Sequence, residues 1–374
     1  MDDTTSGFIT HFSILRDPRM QKKKKHKLLD ILVIAVCAVI CGAEGWEEIE
    51  RYGNAKKEWF KTFLELPHGI PSDDTFARVF SIIEPVEFHK CFSSWTAVMR
   101  ENVKGLIVAI DGKTLRHSFD TATGKKAIHM VSAWVVENQM VLGQLKVDDK
   151  SNEITAVPKL LDMLNIEGCT VTTDAMNCQT EIAAKIIDKG ADYVFCLKGN
   201  HGTIHREVQE FFEFCEKEKF KDVPYGYFET TDKGHGRIEI RKYWQTSDIA
   251  WLDPKKDWKG LTTIGMVNSE RIIGDKITNE SRYFLSSTAI DIEKFAHSVR
   301  GHWGIENGLH WCLDVGMGED DSRIRKKNAD ENFAVLRHIA LNHLKQETSK
   351  KCGIKAKGKL CCWDNEYLLK VLWG

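Results

Sequence analysis

The sequence predicts a mixed α/β domain that follows an all-helical N-terminal region. Up to about residue 100, apolar residues recur only at helical spacing. From residue 106 onward, short runs of β-branched and aliphatic residues alternate with helical stretches, which is typical of a sheet covered by helices. The first run, 106–110, is apolar on both faces and leads directly into Asp111. Such a strand belongs in the buried centre of a sheet.

Composition places the chain among ordinary globular proteins of two or three domains. It has 374 residues, 42% of them hydrophobic and 29% charged, and its formal net charge is −1. A polyanionic partner would therefore have to meet a local basic patch. Two patches exist, at 16–27, which includes four consecutive lysines, and at 345–359. Most lysine runs are only solvated, so the patches alone do not decide the function.

The cysteines and the apolar runs indicate a cytoplasmic protein without a membrane partner. The 11 cysteines are scattered without a Cys-x-x-Cys pair, and the N-terminus is acidic and polar, unlike a secretory signal. We therefore expect reduced thiols. The apolar run 31–43 is too short to cross a bilayer and is expected to form a buried helix.

Four helices are predicted in an N-terminal domain that comprises residues 1–102. They cover 27–41, 46–63, a stretch that begins after Pro71, and 88–99. Ser72 can cap the third helix, whose first turn holds Asp73 and Asp74 and so complements the helix dipole. A helical bundle beside a lysine run suits DNA binding, and a bundle that merely covers the next domain fits the sequence equally well.

The following segment shows the element order β-β-β-α-β-α-β. The predicted strands are 106–111, 126–136, 140–147, 169–173 and 192–197, and the predicted helices are 154–164 and 181–188. Short connections imply antiparallel pairing of the first three strands. Pro158 is awkward in its helix unless it lies in the first turn. With Asp111 and Asp174 directly after the first and fourth strands, this order is the layout of a ribonuclease H-like sheet.

Between 201 and 287 the pattern changes to that of a β-rich insertion. A charged helix, 204–219, precedes strand-like pieces at 227–231, 237–245, 261–267 and 283–286, with a turn at 233–236. Two further helices are predicted at 291–314 and 330–345. The catalytic domain is therefore expected to comprise 103–200 and 288–346, and a C-terminal tail follows at 347–374.

The helix predicted at 291–314 is dense in functional side chains. His302, Glu306 and His310 recur at every fourth residue and would share one face. Glycine costs roughly 1 kcal/mol in a helix, and three glycines here indicate the close approach of another backbone or of a ligand. These are Gly301, Gly304 and Gly308.

Two aspartates at neighbouring strand ends and one carboxylate on a helix would make an oxygen-only site for Mg²⁺. Magnesium prefers carboxylates and keeps several waters, which leaves room for a substrate phosphate. Two such ions roughly 4 Å apart can activate an attacking oxygen and stabilise the leaving oxygen of a phosphodiester. The candidate ligands are Asp111, Asp174 and Glu306.

Three alternatives remain open at this point. Asp111 begins an Asp-Gly pair, which is common in turns. The third carboxylate has rivals in Asp314, Glu319, Asp320 and Asp321. The set His302, Glu306 and His310 offers zinc ligands, but it lacks the His-Glu-x-x-His order of a zinc peptidase and would leave both aspartates unexplained.

Six motifs together resemble one protein family along nearly the whole chain. They are Gly-Ile-Pro-Ser-Asp-Asp-Thr-Phe at 69–76, Asp-Gly-Lys at 111–113, Thr-Asp-Ala-Met-Asn-Cys-Gln at 173–179, Gly-Ala-Asp-Tyr-Val-Phe-Cys-Leu-Lys-Gly-Asn at 190–200, His-Gly-Arg-Ile-Glu at 235–239 and His-Trp-Gly-Ile-Glu-Asn at 302–307. With these motifs the chain resembles a DDE transposase of a bacterial insertion sequence, in the branch of the H-repeat-associated proteins.

The resemblance implies a ribonuclease H-like DDE domain with a β insertion, preceded by an N-terminal domain of the transposase-associated kind. It implies that Asp111, Asp174 and Glu306 are the catalytic triad and hold Mg²⁺, for which Mn²⁺ can substitute. The partners it implies are double-stranded DNA, at the element ends and the target, and further copies of the chain in a homodimer or higher synaptic complex. It implies no membrane.

One departure from the superfamily affects the expected DNA contacts. The broader pattern is Tyr-x2-Arg-x3-Glu-x6-Lys, whereas this chain has Val299, His302 and Leu313 at the three flanking places. The roles of that tyrosine, arginine and lysine are therefore not transferable. The residues expected to contact DNA are Lys113, Arg116, Lys198, Arg300, His302, Asn307, Arg323 and Arg325.

We thus expect a Mg²⁺-dependent transposase that cleaves DNA at element ends and transfers the strands into target DNA. Two other functions fit the sequence, namely a remnant that only binds DNA and a nuclease without joining activity. The presence of all three carboxylates argues against the remnant. For the N-terminal domain, recognition of the element ends and dimerisation both remain open.

Overall fold

The computed structural model describes residues 6–98, 105–119, 124, 127–147, 153–234 and 236–373. The chain divides into two compact units. The first comprises Met1–Asn102, Gly112–Asn152 and Glu306–Gly374, and the second comprises Val103–Asp111 and Glu153–Ile305. This grouping cuts across the domain boundaries expected from the sequence, because the N-terminal helices, the second and third strands and the C-terminal tail share one unit.

In the first unit, the other helices surround two long buried helices, α2 (Leu28–Ile40) and α11 (Ala329–Gln346). Every residue of α2 from Asp30 to Ile40 is buried, and α11 is buried along most of its length. Trp46 joins the surrounding helices by packing on Phe80 and Phe333, with ring centroids 5.2 and 5.0 Å away. The helices are α1 Ser6–Ser13, α2 Leu28–Ile40, α3 Trp46–Ala55, α4 Lys57–Phe60, α5 Asp73–Ile82, α6 Pro85–Val98, α11 Ala329–Gln346, α12 Ile354–Trp363 and α13 Asn365–Trp373.

Three sequence predictions are corrected in this unit. The helix expected at 46–63 is broken at Lys56 into α3 and α4. Ser72 does precede α5, but its hydroxyl lies 3.2 Å from that of Thr75 and caps no backbone amide. The segment 347–374 is helical and packed: a Cβ on Gly358 of α12 would lie 2.7 Å from the carbonyl oxygen of Ile40.

A β-hairpin completes the first unit. Strands β2 (His129–Val135) and β3 (Met140–Val147) pair antiparallel, as predicted, with a bulge between Ala133 and Trp134. Asn342 of α11 covers the outer strand: its side-chain amide donates to the carbonyl of Val141 and accepts from the N–H of the same residue, both at 2.9 Å.

The second unit contains three parallel strands. β1 (Ile107–Thr114) enters it as far as Asp111 and pairs parallel with β4 (Thr170–Thr173), and β4 pairs parallel with β5 (Asp192–Leu197). Helices α7 (Glu153–Met163) and α8 (Thr180–Asp188) lie between these strands in the chain. The predicted order of strands and helices is confirmed. Pro158, expected in a first turn, lies inside α7.

The predicted β-rich insertion is a four-stranded antiparallel meander. Its last strand, β9 (Lys276–Ser286), pairs with β5, so the meander extends this sheet. Its strands are longer than predicted. The prediction relied on apolar runs, and the outer halves of these strands are polar and exposed. The expected turn at 233–236 includes His235, which lies outside the described residues. The elements are α9 Gly202–Lys217, β6 Tyr225–Gly234, β7 Arg237–Thr246, β8 Thr263–Ile273, β9 Lys276–Ser286 and α10 Ile292–His302.

The last features of the fold are its cysteines and its apolar helices. Each of the 11 cysteines is a free thiol. Within the described ranges, no helix combines the length and the apolar character needed to cross a membrane.

Candidate active site

Asp111 lies in β1, and Asp174 directly follows β4, the parallel neighbour of β1. Ile110 of β1 is in register with Thr173 of β4, and each aspartate is the next residue in its strand direction. Neighbouring strands are about 4.8 Å apart, and residues in register on them point to the same face. Both aspartates are half-buried. Asp111 does not begin a turn, because β1 continues through it to Thr114.

A buried asparagine holds Asp174. The Oδ1 atom of Asp174 accepts hydrogen bonds from the backbone N–H of Asn177 at 3.1 Å and from its side-chain amide at 3.0 Å. The same amide donates to Glu153 at 3.2 Å. Asn177 was missed in the sequence, although an aspartate followed three residues later by a polar residue in a loop is a known local turn pattern.

His302, at the end of α10, is an uncharged neighbour of Asp174. Its Nδ1 lies 3.1 Å from the hydroxyl of Thr172. Burial lowers the pKa of His302 to about 4, although the charge of Asp174 opposes this and that of Lys198 adds to it. The imidazole is therefore neutral at pH 7, so the phosphate contact expected of His302 lacks its positive charge. Lys198, at the end of β5, is exposed.

The segment that carries Glu306 is not a continuous α-helix. After α10, two π-helical turns span Glu306–His310 and Cys312–Gly316, and such turns often occur at functional sites. Glu306 is exposed at the start of the first turn and belongs to the first unit, whereas both aspartates belong to the second. The expectation that Glu306 shares one face with His302 and His310 assumed unbroken α-helical spacing, which these turns interrupt.

The described residues include no group of three or more His, Cys, Asp or Glu side chains close enough to hold a metal ion. Neither the zinc alternative at His302, Glu306 and His310 nor the full set of Asp111, Asp174 and Glu306 forms such a group in the described part of the chain. Asp111 and Asp174 fit part of a magnesium site, since they supply carboxylate oxygens from adjacent strands.

At one glycine of this segment, the space that a side chain would need is already occupied. A Cβ on Gly308 would be 2.9 Å from the ring of Trp134, which is fully buried. A Cβ on Gly304 would have nothing within 4 Å. At Gly308 the close approach is made by an aromatic side chain, whereas the sequence led us to expect a backbone or a ligand.

Lys113 occupies the centre of an acidic cluster. Its ammonium group pairs with Asp314 and lies 2.6 Å from Glu319 and 3.9 Å from Asp320, while its side chain is only 11% exposed. Three rivals of Glu306 for metal binding are therefore already engaged by a cation. The same pairing leaves Lys113 poorly placed for the phosphate contact expected of it, because a phosphate would have to displace two carboxylates.

Glu319 connects Lys113 to the buried helix α11. Burial raises the pKa of Glu319, but the charges of Lys113, Arg337 and His338 outweigh it and hold that pKa below its usual range. Lys113 responds in the complementary way, because Glu319 and Asp314 raise its pKa against the effect of burial. The cluster is an internally compensated charge network.

The remaining candidates for DNA contacts fall into two groups. Arg116 is 79% exposed and lies 3.4 Å from Asp320, and Arg325 donates to the carbonyl of His117 at 3.1 Å. Asn307 and Arg323 are also exposed in this first unit. Arg300 belongs to the second unit and lines a cavity of about 520 Å³ together with β6 and β7. Two residues before His302, it lies on a different side of α10.

Comparisons with known proteins identify the family. A family model described as "Transposase DDE domain" matches residues 103–343, and one described as associated with that domain matches residues 9–96. "H repeat-associated putative transposase YhhI" of Escherichia coli K12 is 43% identical over 370 residues, covering 97% of each chain. "Putative transposase YncI" of Escherichia coli O157:H7 is 44% identical over 371 residues, covering 98% of this chain and 94% of the relative.

Two further matches are more limited. "Inactive transposase YbfQ" of Escherichia coli K12 is 49% identical over 71 residues, covering 19% of this chain and 84% of the relative. Among solved structures, the piggyBac transposase synaptic complex with hairpin DNA gives a TM-score of 0.41 at 10% identity, covering 100% of this chain and 79% of that one.

Replacing Gly308 with alanine should destabilise the protein, because the new methyl group meets a buried indole that has little room to move. We expect a loss of about 1–3 kcal/mol in the free energy of unfolding, measured by urea denaturation. Gly304→Ala is the matched control, since it adds the same group in open space and should be neutral or stabilise by up to about 1 kcal/mol. Equal losses in both variants would contradict this packing.

Lys113→Met should cost roughly 3–5 kcal/mol at pH 7, because it leaves Glu319 buried without its cation. The folded-state pKa of Glu319 is lowered, so its contribution to stability is present at neutral pH and is lost as pH falls through the acidic range. The deficit of the variant should therefore shrink as the carboxyl becomes protonated. Urea denaturation at neutral and acidic pH measures it. Lys61→Met, which breaks an exposed pair with Glu58, is the control and should leave the midpoint unchanged.

Proposed function

The chain belongs to the family of transposases with a DDE domain, and from that premise we propose that it cuts DNA at the ends of an insertion sequence and joins those ends to target DNA. The observation that carries the proposal is the parallel pairing of β1 with β4, which supports a site formed by Asp111 in β1 and Asp174 directly after β4. The element order and the three parallel strands further support a ribonuclease H-like catalytic domain.

Asp111, Asp174 and Glu306 would hold a divalent metal ion, with Mg²⁺ as the natural choice and Mn²⁺ as a substitute. Their carboxylate oxygens suit a hard cation, and the two aspartates come from backbone held by strand pairing. When bound, such ions activate the attacking oxygen and stabilise the leaving oxygen of a phosphodiester. We expect the replacement of Asp111 to be the least tolerated of the three.

The reaction would proceed in two displacements at phosphorus. In the first, water attacks a phosphodiester at the element end, the P–O3′ bond breaks, and the DNA gains a 3′-hydroxyl. In the second, that hydroxyl attacks a target phosphodiester, forming a new P–O3′ bond as the old one breaks. No covalent intermediate with the protein is needed. Neutral His302 is hydrogen-bonded to Thr172 and would hold the backbone next to Asp174 in position. Because it carries no charge, it would not form an ion pair with Asp174.

The partners that we propose are double-stranded element ends and target DNA. Exposed Arg116, Arg323 and Lys198 are suited to phosphates, whereas Lys113 would act within the protein. Joining two ends in one event requires two active sites, so a homodimer or a higher synaptic complex is the expected assembly.

Asp111→Asn, Asp174→Asn and Glu306→Gln should each lower cleavage of element-end DNA at least about 10³-fold, which corresponds to about 4 kcal/mol of transition-state stabilisation. Gel assays in Mg²⁺ measure the cleavage, and binding to the same DNA should persist. Asp321→Asn, at a carboxylate that is 85% exposed, is the control and should cleave normally. Unimpaired cleavage by Asp111→Asn would rule out the assignment.

A pre-cut element end with a free 3′-hydroxyl should be inserted into a supercoiled plasmid by the protein in Mg²⁺. Chelation with EDTA should abolish insertion, and Asp174→Asn should show none. Cleavage of uncut ends without any insertion would instead identify a nuclease. Binding of ends with neither reaction would identify a protein that only binds DNA.

A further inference from the structure

A basic cavity lies in the first unit. It has a volume of about 620 Å³ and forms between the segment 18–26 and one side of α5. Thr75, Arg78 and Ile82 contribute from α5 at helical spacing, i, i+3 and i+7. The lining residues are Pro18, Arg19, Met20, Lys22, Lys25, His26, Thr75, Arg78 and Ile82.

Some cations of this segment are already paired with carboxylates, and Arg19 among them holds the segment in shape. Arg19 makes two hydrogen bonds of 2.9 Å to the carboxylate of Asp17 and one of 2.8 Å to the carbonyl of His26, and its side chain is 6% exposed. Lys24 lies 3.3 Å from the same carboxylate. Lys27 pairs with Glu65. The guanidinium group of Arg19 therefore connects both ends of the segment and holds this wall of the cavity in place.

Other cations keep their charge available. Lys22, Lys25 and Arg78 are exposed, and none of them forms an ion pair with a residue in the described part of the chain. Nor does any carboxylate line the cavity within that part. Three unmatched positive charges around one concavity, with the Thr75 hydroxyl beside them, make a site for an anion larger than a single carboxylate.

The chemistry of the lining indicates which anion fits. Lysine and arginine side chains with a hydroxyl bind phosphate oxygens, and the lining contains no Trp, Tyr or Phe on which a base could stack. A site of this kind grips a sugar-phosphate backbone without reading its sequence.

We propose that this cavity binds the phosphodiester backbone of duplex DNA, through Lys22, Lys25 and Arg78. The proposal rests on the proposed function for its choice of DNA among polyanions. Under this proposal the N-terminal helical region binds the DNA backbone, whereas the chemistry takes place at Asp111 and Asp174.

The test compares two double variants of one lysine run in the full-length protein. Lys22→Gln with Lys25→Gln removes two unmatched charges from the cavity, whereas Lys24→Gln with Lys27→Gln removes two charges that are paired with acids. Affinity for a duplex of unrelated sequence is measured by fluorescence anisotropy between 50 and 200 mM salt. The cavity variant should bind about tenfold or more weakly, with the salt slope reduced by about 2, and the control should change less than twofold.

Arg78 supplies an independent check from the other wall. Arg78→Gln should weaken binding and lower the salt slope by about 1. Arg51→Gln is its control, since Arg51 is exposed on a nearby helix and pairs with Glu47 at 3.0 Å. Thermal unfolding should be unchanged in all four variants, because the substituted side chains lie at the surface.

Several outcomes would overturn the proposal. Equal losses in the two lysine variants would mean that only diffuse charge matters, and unchanged affinity in the cavity variant would exclude the site. Vesicles containing phosphatidylserine that bind the wild type but not the cavity variant, while DNA affinity stays intact, would assign the cavity to a membrane surface. If the cavity variant loses DNA affinity and the wild type still fails to cut or join ends, the proposed function fails and the backbone site stands.

Discussion

Parallel pairing between β1 and β4 is the constraint on which the candidate site depends. The paired segments of the two strands are buried, so their register is specified by packing on both sides and cannot slip without turning buried side chains outward. That register carries Asp111 and Asp174 to the same level. Carboxylates held in this way lose little freedom when they bind a cation, because the backbone has already been ordered by the sheet.

Sequence periodicity recovered the elements whose side chains are buried and missed what depends on distant partners. The strand that leads into Asp111 was predictable because an unbroken apolar run identifies a central strand. The outer halves of β8 and β9 were not, since their pairing is backbone to backbone and leaves little trace in side chains. The partners of Lys113 lie about 200 residues further along the chain, so no local pattern signals them.

Charge in this protein is nearly balanced in total and strongly sorted in space. Its 53 lysines and arginines almost match its 54 aspartates and glutamates. Around Lys113, Glu319 and Arg337 the two signs cancel inside the protein, where an unmatched charge would be costly. At Lys22, Lys25 and Arg78 no acid in the described part of the chain cancels the positive charge. The energetic cost is small, because these side chains are exposed and water screens their charge. A near-neutral chain can thereby present local cationic surfaces, and its net charge says little about its partners.

Asn342 has a consequence for how the protein behaves at high concentration. The outer strand of a sheet exposes backbone groups that can pair with a strand of another molecule, and this is a common route to aggregation. By occupying both the donor and the acceptor of Val141, the side chain of Asn342 acts as a surrogate neighbour for β3. The helix that carries it thereby protects the edge of the hairpin from the addition of a strand of another molecule.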